Sequence, residues 1–174
     1  HRVPFIARWP GHIDAGRTTK ALACLTDIYS TLEAITGQPR QALGGEDGFS
    51  LLAVFQGKES SGRDTLISHS IGGSFAIRQG SWKLCLAAGS GGWSEPREPE
   101  AQKQGLPSMQ LYNLANDPAE EHNLVNDETD KVKMLLHLLD EQISNGRCTP
   151  GDKVSNDREI DFLPAGVTSR RKTQ

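Results

Sequence analysis

The chain alternates short apolar runs with long polar stretches, and the spacing of the apolar positions changes along it. Val3 to Trp9 is a compact run that predicts a short buried strand, with Pro4 near its start, where a missing N–H is tolerated, and Pro10-Gly11 as its turn. Leu25, Ile28, Leu32 and Ile35 then recur at helical spacing and predict one apolar helix face. Thr26 is the expected N-cap, Asp27 sits favourably at the positive helix end, and Gly37 with Pro39 stops the helix. Asp27 and Glu33 read as surface charges. Phe49 to Phe55 reads as a helical turn on the same core, flanked by polar loops at 38–48 and 57–63.

The period then shifts to two. Thr65 to Ile71, Phe75 to Arg78, Trp82 to Leu86 and Met109 to Leu114 predict strands, and Gln79-Gly80-Ser81 joins the second and third as a hairpin. Residues 88–107 are rich in Gly, Pro, Ser and charge and read as a long loop. Asp117, Pro118 and Glu120 form a helix-start pattern, with Asp117 as cap and Glu120 completing a capping box. A longer helix is expected from Asp127 to Ile143, with Val132, Leu135, Leu136, Leu139 and Ile143 inward and Asn145-Gly146 as its end.

The expected order is strand, helix, then an antiparallel sheet with flanking helices, without an internal repeat. A lone strand cannot bury itself, so residues 1–60 read as the tail of an α/β unit. Residues 61–150 read as a small α+β subdomain, and 151–174 as a polar, disordered tail ending in Ser169 to Gln174. Apolar residues make up 36% of the 174 positions, so a core is affordable but thin. The formal net charge of −3 gives no broad pull toward nucleic acid or an anionic membrane, and no run of about 18 apolar residues is present to span a bilayer. His1 leads directly into an apolar stretch with no initiator Met or signal peptide, which reads as a chain entered in mid-sequence, and the compartment is therefore unknown from this end. Cys24, Cys85 and Cys148 are widely spaced and lack a C-x-x-C pair; Cys24 and Cys85 read as small apolar groups and Cys148 as a loop cysteine, with one bridge still open.

Four segments in order resemble the C-terminal region of arylsulfatase-like enzymes. They are Arg2-Val3-Pro4-Phe5-Ile6 with Arg8-Trp9-Pro10-Gly11; Leu25-Thr26-Asp27-Ile28 opening a helix that ends in Thr36-Gly37; Phe75-Ala76-Ile77-Arg78-Gln79-Gly80 running into Trp82-Lys83-Leu84; and Leu111-Tyr112-Asn113-Leu114 followed by Asp117-Pro118, Glu120 and Asn123-Leu124. The resemblance implies the end of an alkaline-phosphatase-like α/β catalytic domain over 1–60 and, over 61–150, the sulfatase C-terminal subdomain with an antiparallel sheet and a packed helix. It implies a sulfuric ester hydrolase acting on sulfate esters, with sulfated polysaccharide as a substrate class. It also implies a calcium ion and a formylglycine in full-length members, and the periplasmic or extracellular location typical of bacterial members.

A sulfate monoester is anionic, so its hydrolysis needs an activated nucleophile and concentrated positive charge. The family makes its nucleophile from the Cys or Ser of a C-x-P-x-R motif and holds a hard cation on Asp and Asn oxygens. By the resemblance those residues precede this chain, so no catalytic residue and no metal ligand is assigned in it. The missing N-terminal catalytic part is its expected partner. Cys148-Thr149-Pro150-Gly151-Asp152 begins like the motif but places Asp152 where Arg is required, and a carboxylate there repels a sulfate.

His69, in Ser68-His69-Ser70, is the one substrate-binding candidate, since an imidazole can hydrogen-bond a sulfate or leaving-group oxygen; a plain strand histidine is the simpler use of it. Gly89-Ser90-Gly91-Gly92 reads as a flexible loop, and Trp93 as its anchor or as a sugar-stacking surface. Arg78 and Lys83 read as packing or ion-pair residues, Arg170-Arg171-Lys172 as a solvated tail, and His12, His122 and His137 as lacking metal-ligand spacing. The expectation is a sulfatase portion that is inactive alone. The alternatives are a stand-alone interaction module built from the same subdomain, or part of a related phosphate or phosphonate ester hydrolase.

Overall fold

The computed structural model describes residues 3–39, 44–58, 62–164 and 167, and the basic cluster Arg170 to Lys172 lies outside them. The chain divides into two compact units, residues 1–64 with 148–150, and residues 65–147 with 151–174.

In the first unit Val3 to Trp9 forms no strand. A strand is stable only when paired, and no described segment pairs with it; Val3 and Ile6 are left in solvent, Ile6 at 91% exposure. Backbone N–H groups of His12 and Ile13 close a turn on the Trp9 carbonyl, at 3.0 and 2.9 Å. Helix α1 runs Asp27–Thr36 and ends at Gly37, whose φ of 67° suits glycine and whose N–H donates to the Glu33 carbonyl. The N-terminal end differs from expectation. Thr26 has helical dihedrals and makes no side-chain cap bond. Its hydroxyl lies 2.9 Å from Cys24 Sγ instead.

The buried side of α1 is its polar side. Asp27, Ser30 and Thr31 are inside, while Leu25 and Leu32 are 73% and 55% exposed. Of the predicted stripe, Leu25 precedes the helix, and Ile28, Leu32 and Ile35 lie on it but face outward. Thr31 Oγ1 donates to the Asp27 carbonyl at 2.6 Å and accepts the Leu51 N–H at 2.8 Å. Gly48 lies so close that a Cβ there would meet Ser30 Oγ at 2.4 Å. A short helix α2, Leu52–Phe55, follows in the expected place.

The second unit holds a four-stranded antiparallel sheet in the order β1-β2-β3-β4, with β1 Thr65–His69, β2 Phe75–Gln79, β3 Trp82–Cys85 and β4 Gln110–Asn113. The hairpin is as predicted: Gln79 pairs with Trp82 across Gly80, whose φ is 58°. Ile77, Leu84 and Leu111 project from one face and are fully buried against Val132, Leu135 and Leu139. Those three belong to helix α4, Thr129–Asn145, which ends at left-handed Gly146. Each such side chain contributes about 1.5–3 kcal/mol by leaving water. A Cβ at Gly146 would sit 2.1 Å from the Val154 carbonyl oxygen, so the chain can turn back there only with glycine.

Three expectations are corrected in this unit. The 88–107 loop contains helix α3, Glu98–Lys103, with Pro99 in its first turn. The Asp117-Pro118-Glu120 pattern builds a turn, not a helix start: Asp117 accepts the N–H groups of Glu121 and His122 at 3.0 and 2.9 Å, and Glu120 takes φ 61°. Glu120 instead receives two hydrogen bonds from Lys83 Nζ at 2.8 and 2.7 Å, so Lys83 is the ion-pair residue expected. The segment after α4, expected as a disordered polar tail, places Phe162 in the core with Ile160 and Leu163 against it, because three apolar residues among polar neighbours suffice to dock it. Ser169 to Gln174 lie outside the described residues.

Candidate functional site

His69 is the last residue of β1, an edge strand, and pairs with Phe75. Its ring stands against the Phe75 ring at 6.1 Å between centroids. Its Nδ1 is 3.0 Å from the Ser70 carbonyl oxygen. A carbonyl only accepts, so Nδ1 carries the proton and Nε2 is the other ring nitrogen, an acceptor in that tautomer. The side chain is exposed, which suits solvent contact and contributes little to the core.

The turn beyond His69 is ordered by its serines: Ser70 N–H donates to the Ser74 carbonyl at 2.9 Å and Ser74 N–H to Ser70 Oγ at 3.2 Å. The 88–96 loop comes up beside it, since a Cβ at Gly91 would lie 3.1 Å from Ser70 Cβ. That loop, expected to be flexible, is held by hydrogen bonds. Glu98 accepts from Ala88 N and Gly89 N at 3.1 and 2.8 Å. Gln110 Nε2 donates to the carbonyls of Ala87 and Gly89 at 2.9 and 2.7 Å. The Ala88 and Gly89 N–H groups are thus occupied by a carboxylate of the chain itself and are not open to an anion. Trp93 projects from it at 75% exposure, too open to serve as a buried anchor.

A second cluster, in the first unit, went unread in the sequence. Asp27 is fully buried and is no surface charge. Its carboxylate accepts the N–H of Cys24 at 2.8 Å, the N–H of Phe49 at 2.9 Å, and Arg63 Nε at 3.2 Å, with Arg63 Nη2 on its other oxygen. Arg63 also donates to the Asp47 carbonyl and lies over the Phe49 ring, 4.7 Å from its centroid. Cys148 N donates to Asp47 Oδ1 at 2.8 Å. Burial, then the Asp47 carboxylate, push the Cys148 thiol up to about 12. Such a thiol is protonated and unreactive at neutral pH. The only signal of this cluster in the sequence is polar residues at helical spacing opposite the apolar stripe; the partner lies far along the chain.

One group among the described residues brings three potential metal-ligand side chains together, Asp117, Glu121 and His122. It does not suit calcium. Both Asp117 oxygens already accept backbone N–H groups, which with the His122 charge hold its carboxyl below the usual range, and an imidazole is a poor ligand for a hard cation. Arg78 Nε donates to the Gly80 carbonyl at 2.9 Å and stabilises the hairpin turn. Among the described residues, no helix is long and apolar enough to cross a membrane.

No family model matches the chain. An N-acetylgalactosamine-6-O-sulfatase of Bacteroides thetaiotaomicron is 28% identical over 80% of this chain and 27% of its own length. Human arylsulfatase A is 30% identical over 79% of this chain and 29% of its own length. Its relatives are sulfatases. The chain spans less than a third of the length of these curated sulfatases. Among solved structures, a protein described with the metabolism of multiple glycosaminoglycans by Bacteroides thetaiotaomicron matches with TM-score 0.65 and 27% identity over 79% of this chain and 28% of its own. A structure in complex with its substrate D-glucosamine-2-N,6-O-disulfate matches at TM-score 0.58 and 22% identity, over 78% of this chain and 26% of its own, which supports the fold alone. The sulfatase resemblance read from four motifs therefore stands, and the antiparallel sheet with its helices is compatible with it.

Proposed function

We propose that this chain is the C-terminal part of a sulfatase that hydrolyses sulfate esters on sulfated polysaccharides. Residues 1–60 end an alkaline-phosphatase-like α/β catalytic domain, and 61–150 form its C-terminal subdomain. The observation that carries this is sulfatase similarity over about four fifths of the chain against little more than a quarter of the relative. The outward apolar side chains Val3, Ile6, Leu25 and Leu32 support it, because so many exposed large apolar groups in one short unit are normally covered. A relative named for activity on ulvan, from Formosa agariphila, supports a polysaccharide substrate and with it a periplasmic or extracellular setting.

The chemistry belongs to the remainder of the protein. Formylglycine and calcium would supply nucleophile and Lewis acid there; the residues described here fit neither. What this chain contributes is recognition: His69 Nε2 donates to a sulfate or leaving-group oxygen when protonated, its ring orientation set by the Ser70 carbonyl. The coding DNA directly upstream of His1 tests the proposal. An in-frame C-x-P-x-R motif is expected; a stop codon followed by a start at this point would favour a separate interaction module.

A further inference from the structure

Trp93 is 75% exposed, yet the loop that presents it is tied by many hydrogen bonds. Besides the Glu98 and Gln110 bonds, Ser90 N–H donates to the Pro96 carbonyl at 2.9 Å and Ser90 Oγ to the Ser94 carbonyl at 2.6 Å. Gly89 is pressed on the 96–98 backbone, where a Cβ would lie 2.7 Å from the Arg97 carbonyl carbon. Gly91 is pressed on Ser70, and Trp93 is two residues further on, at most about 7 Å of chain. The exposed indole is thus carried near the turn at Ser70, the residue that follows His69. An exposed, pre-ordered aromatic face costs little entropy when it binds, and an indole offers an apolar face with a polar edge. A pyranose ring has the matching form, C–H groups on its faces and hydroxyls around its rim.

We infer that Trp93 is a stacking platform for a pyranose ring of a sulfated oligosaccharide, with His69, next in sequence to the Ser70 that Gly91 meets, taking the sulfate. This rests on the sulfated-sugar reading above and assigns two roles: Trp93 binds the ring whether or not it is sulfated, and His69 discriminates for the sulfate.

The test uses the full 174-residue chain, labelled with ¹⁵N, and follows the indole N–H signals of its three tryptophans, with Trp93→Phe to assign the third. The probes are a 6-O-sulfated chondroitin hexasaccharide, its unsulfated counterpart and sodium sulfate. Both sugars should shift the Trp93 signal saturably, the sulfated one at lower concentration, and sulfate alone should not. Trp93→Ala should weaken both sugars by about 10-fold, a 1.4 kcal/mol loss, and Trp93→Phe by less. His69→Ala should remove the preference for the sulfated sugar and leave the unsulfated one unchanged. An unmoved Trp93 signal, or equal binding by Trp93→Ala, overturns the platform. Trp93-dependent binding without any sulfate preference keeps the platform and refutes the role of His69. Neither outcome alters the upstream-motif test, which decides the sulfatase reading separately.

Discussion

Arg63→Met removes a charge and keeps most of the side-chain volume, so it isolates the ionic partner of Asp27. The carboxylate left behind is fully buried and retains two donors, the N–H groups of Cys24 and Phe49. Removing one member of a buried pair costs about 3–5 kcal/mol, and the two surviving bonds place this case near the lower end. The Asp47 carbonyl also loses a donor, which adds about 1 kcal/mol. A total of about 4 kcal/mol is a large share of the 5–15 kcal/mol that holds a typical domain. Amide hydrogen exchange reads it locally. Phe49 and Leu51 N–H, bonded to Asp27 and Thr31, should exchange at least about 100-fold faster. Leu111 N–H, bonded to Asn123 in the other unit, is the internal reference. Asp27→Leu combined with Arg63→Met should recover much of the loss, since an apolar pair leaves no stranded charge. Unchanged protection at Phe49 and Leu51 in Arg63→Met would refute the account of how α1 is held.

Cys148 should react with iodoacetamide about 1,000-fold more slowly in the folded chain than in urea at pH 8.5, followed by peptide mass spectrometry, because its thiol is pushed from 9.0 to about 12. The sign for stability follows: the unfolded thiol ionises first, so this contribution is complete below pH 9.0 and is lost as pH rises toward about 12. The isolated chain should self-associate through Val3, Ile6, Leu25 and Leu32, and a monomer across concentrations in analytical ultracentrifugation would contradict that. In the complete enzyme, His69→Ala should lower turnover by roughly 10- to 1,000-fold with little change in melting. Early melting with normal turnover would make it a strand residue only.

What was legible in the sequence was local. The hairpin declares itself through period-two alternation on either side of Gly80, and α4 through Val132, Leu135 and Leu139 with Gly146 at its end. What was hidden depended on partners distant in the chain. The polar burial of α1 needs Arg63, 36 positions from Asp27, and no periodicity reports an ion pair. Helix α3 is six residues long inside Gly- and Pro-rich sequence, too short to show a face. Asp117 carries the side chain of a helix cap and uses it on a turn, because Glu120 adopts a left-handed conformation that a helix start excludes. At the candidate site, His69 was readable as a residue type in a strand. The rigidity of the Trp93 loop was not, since a Gly- and Ser-rich run looks mobile until Glu98 and Gln110 are seen holding it.

The central claim is that this chain belongs to a sulfatase without carrying its chemistry. The direct measurement is hydrolysis of an aryl sulfate by the purified 174-residue chain, with and without calcium, beside the complete enzyme under the same conditions. The account predicts no turnover above buffer for the chain and calcium-dependent turnover for the complete enzyme. Calcium-dependent hydrolysis by the isolated chain, in proportion to its concentration and undiminished by repeated purification, would contradict it.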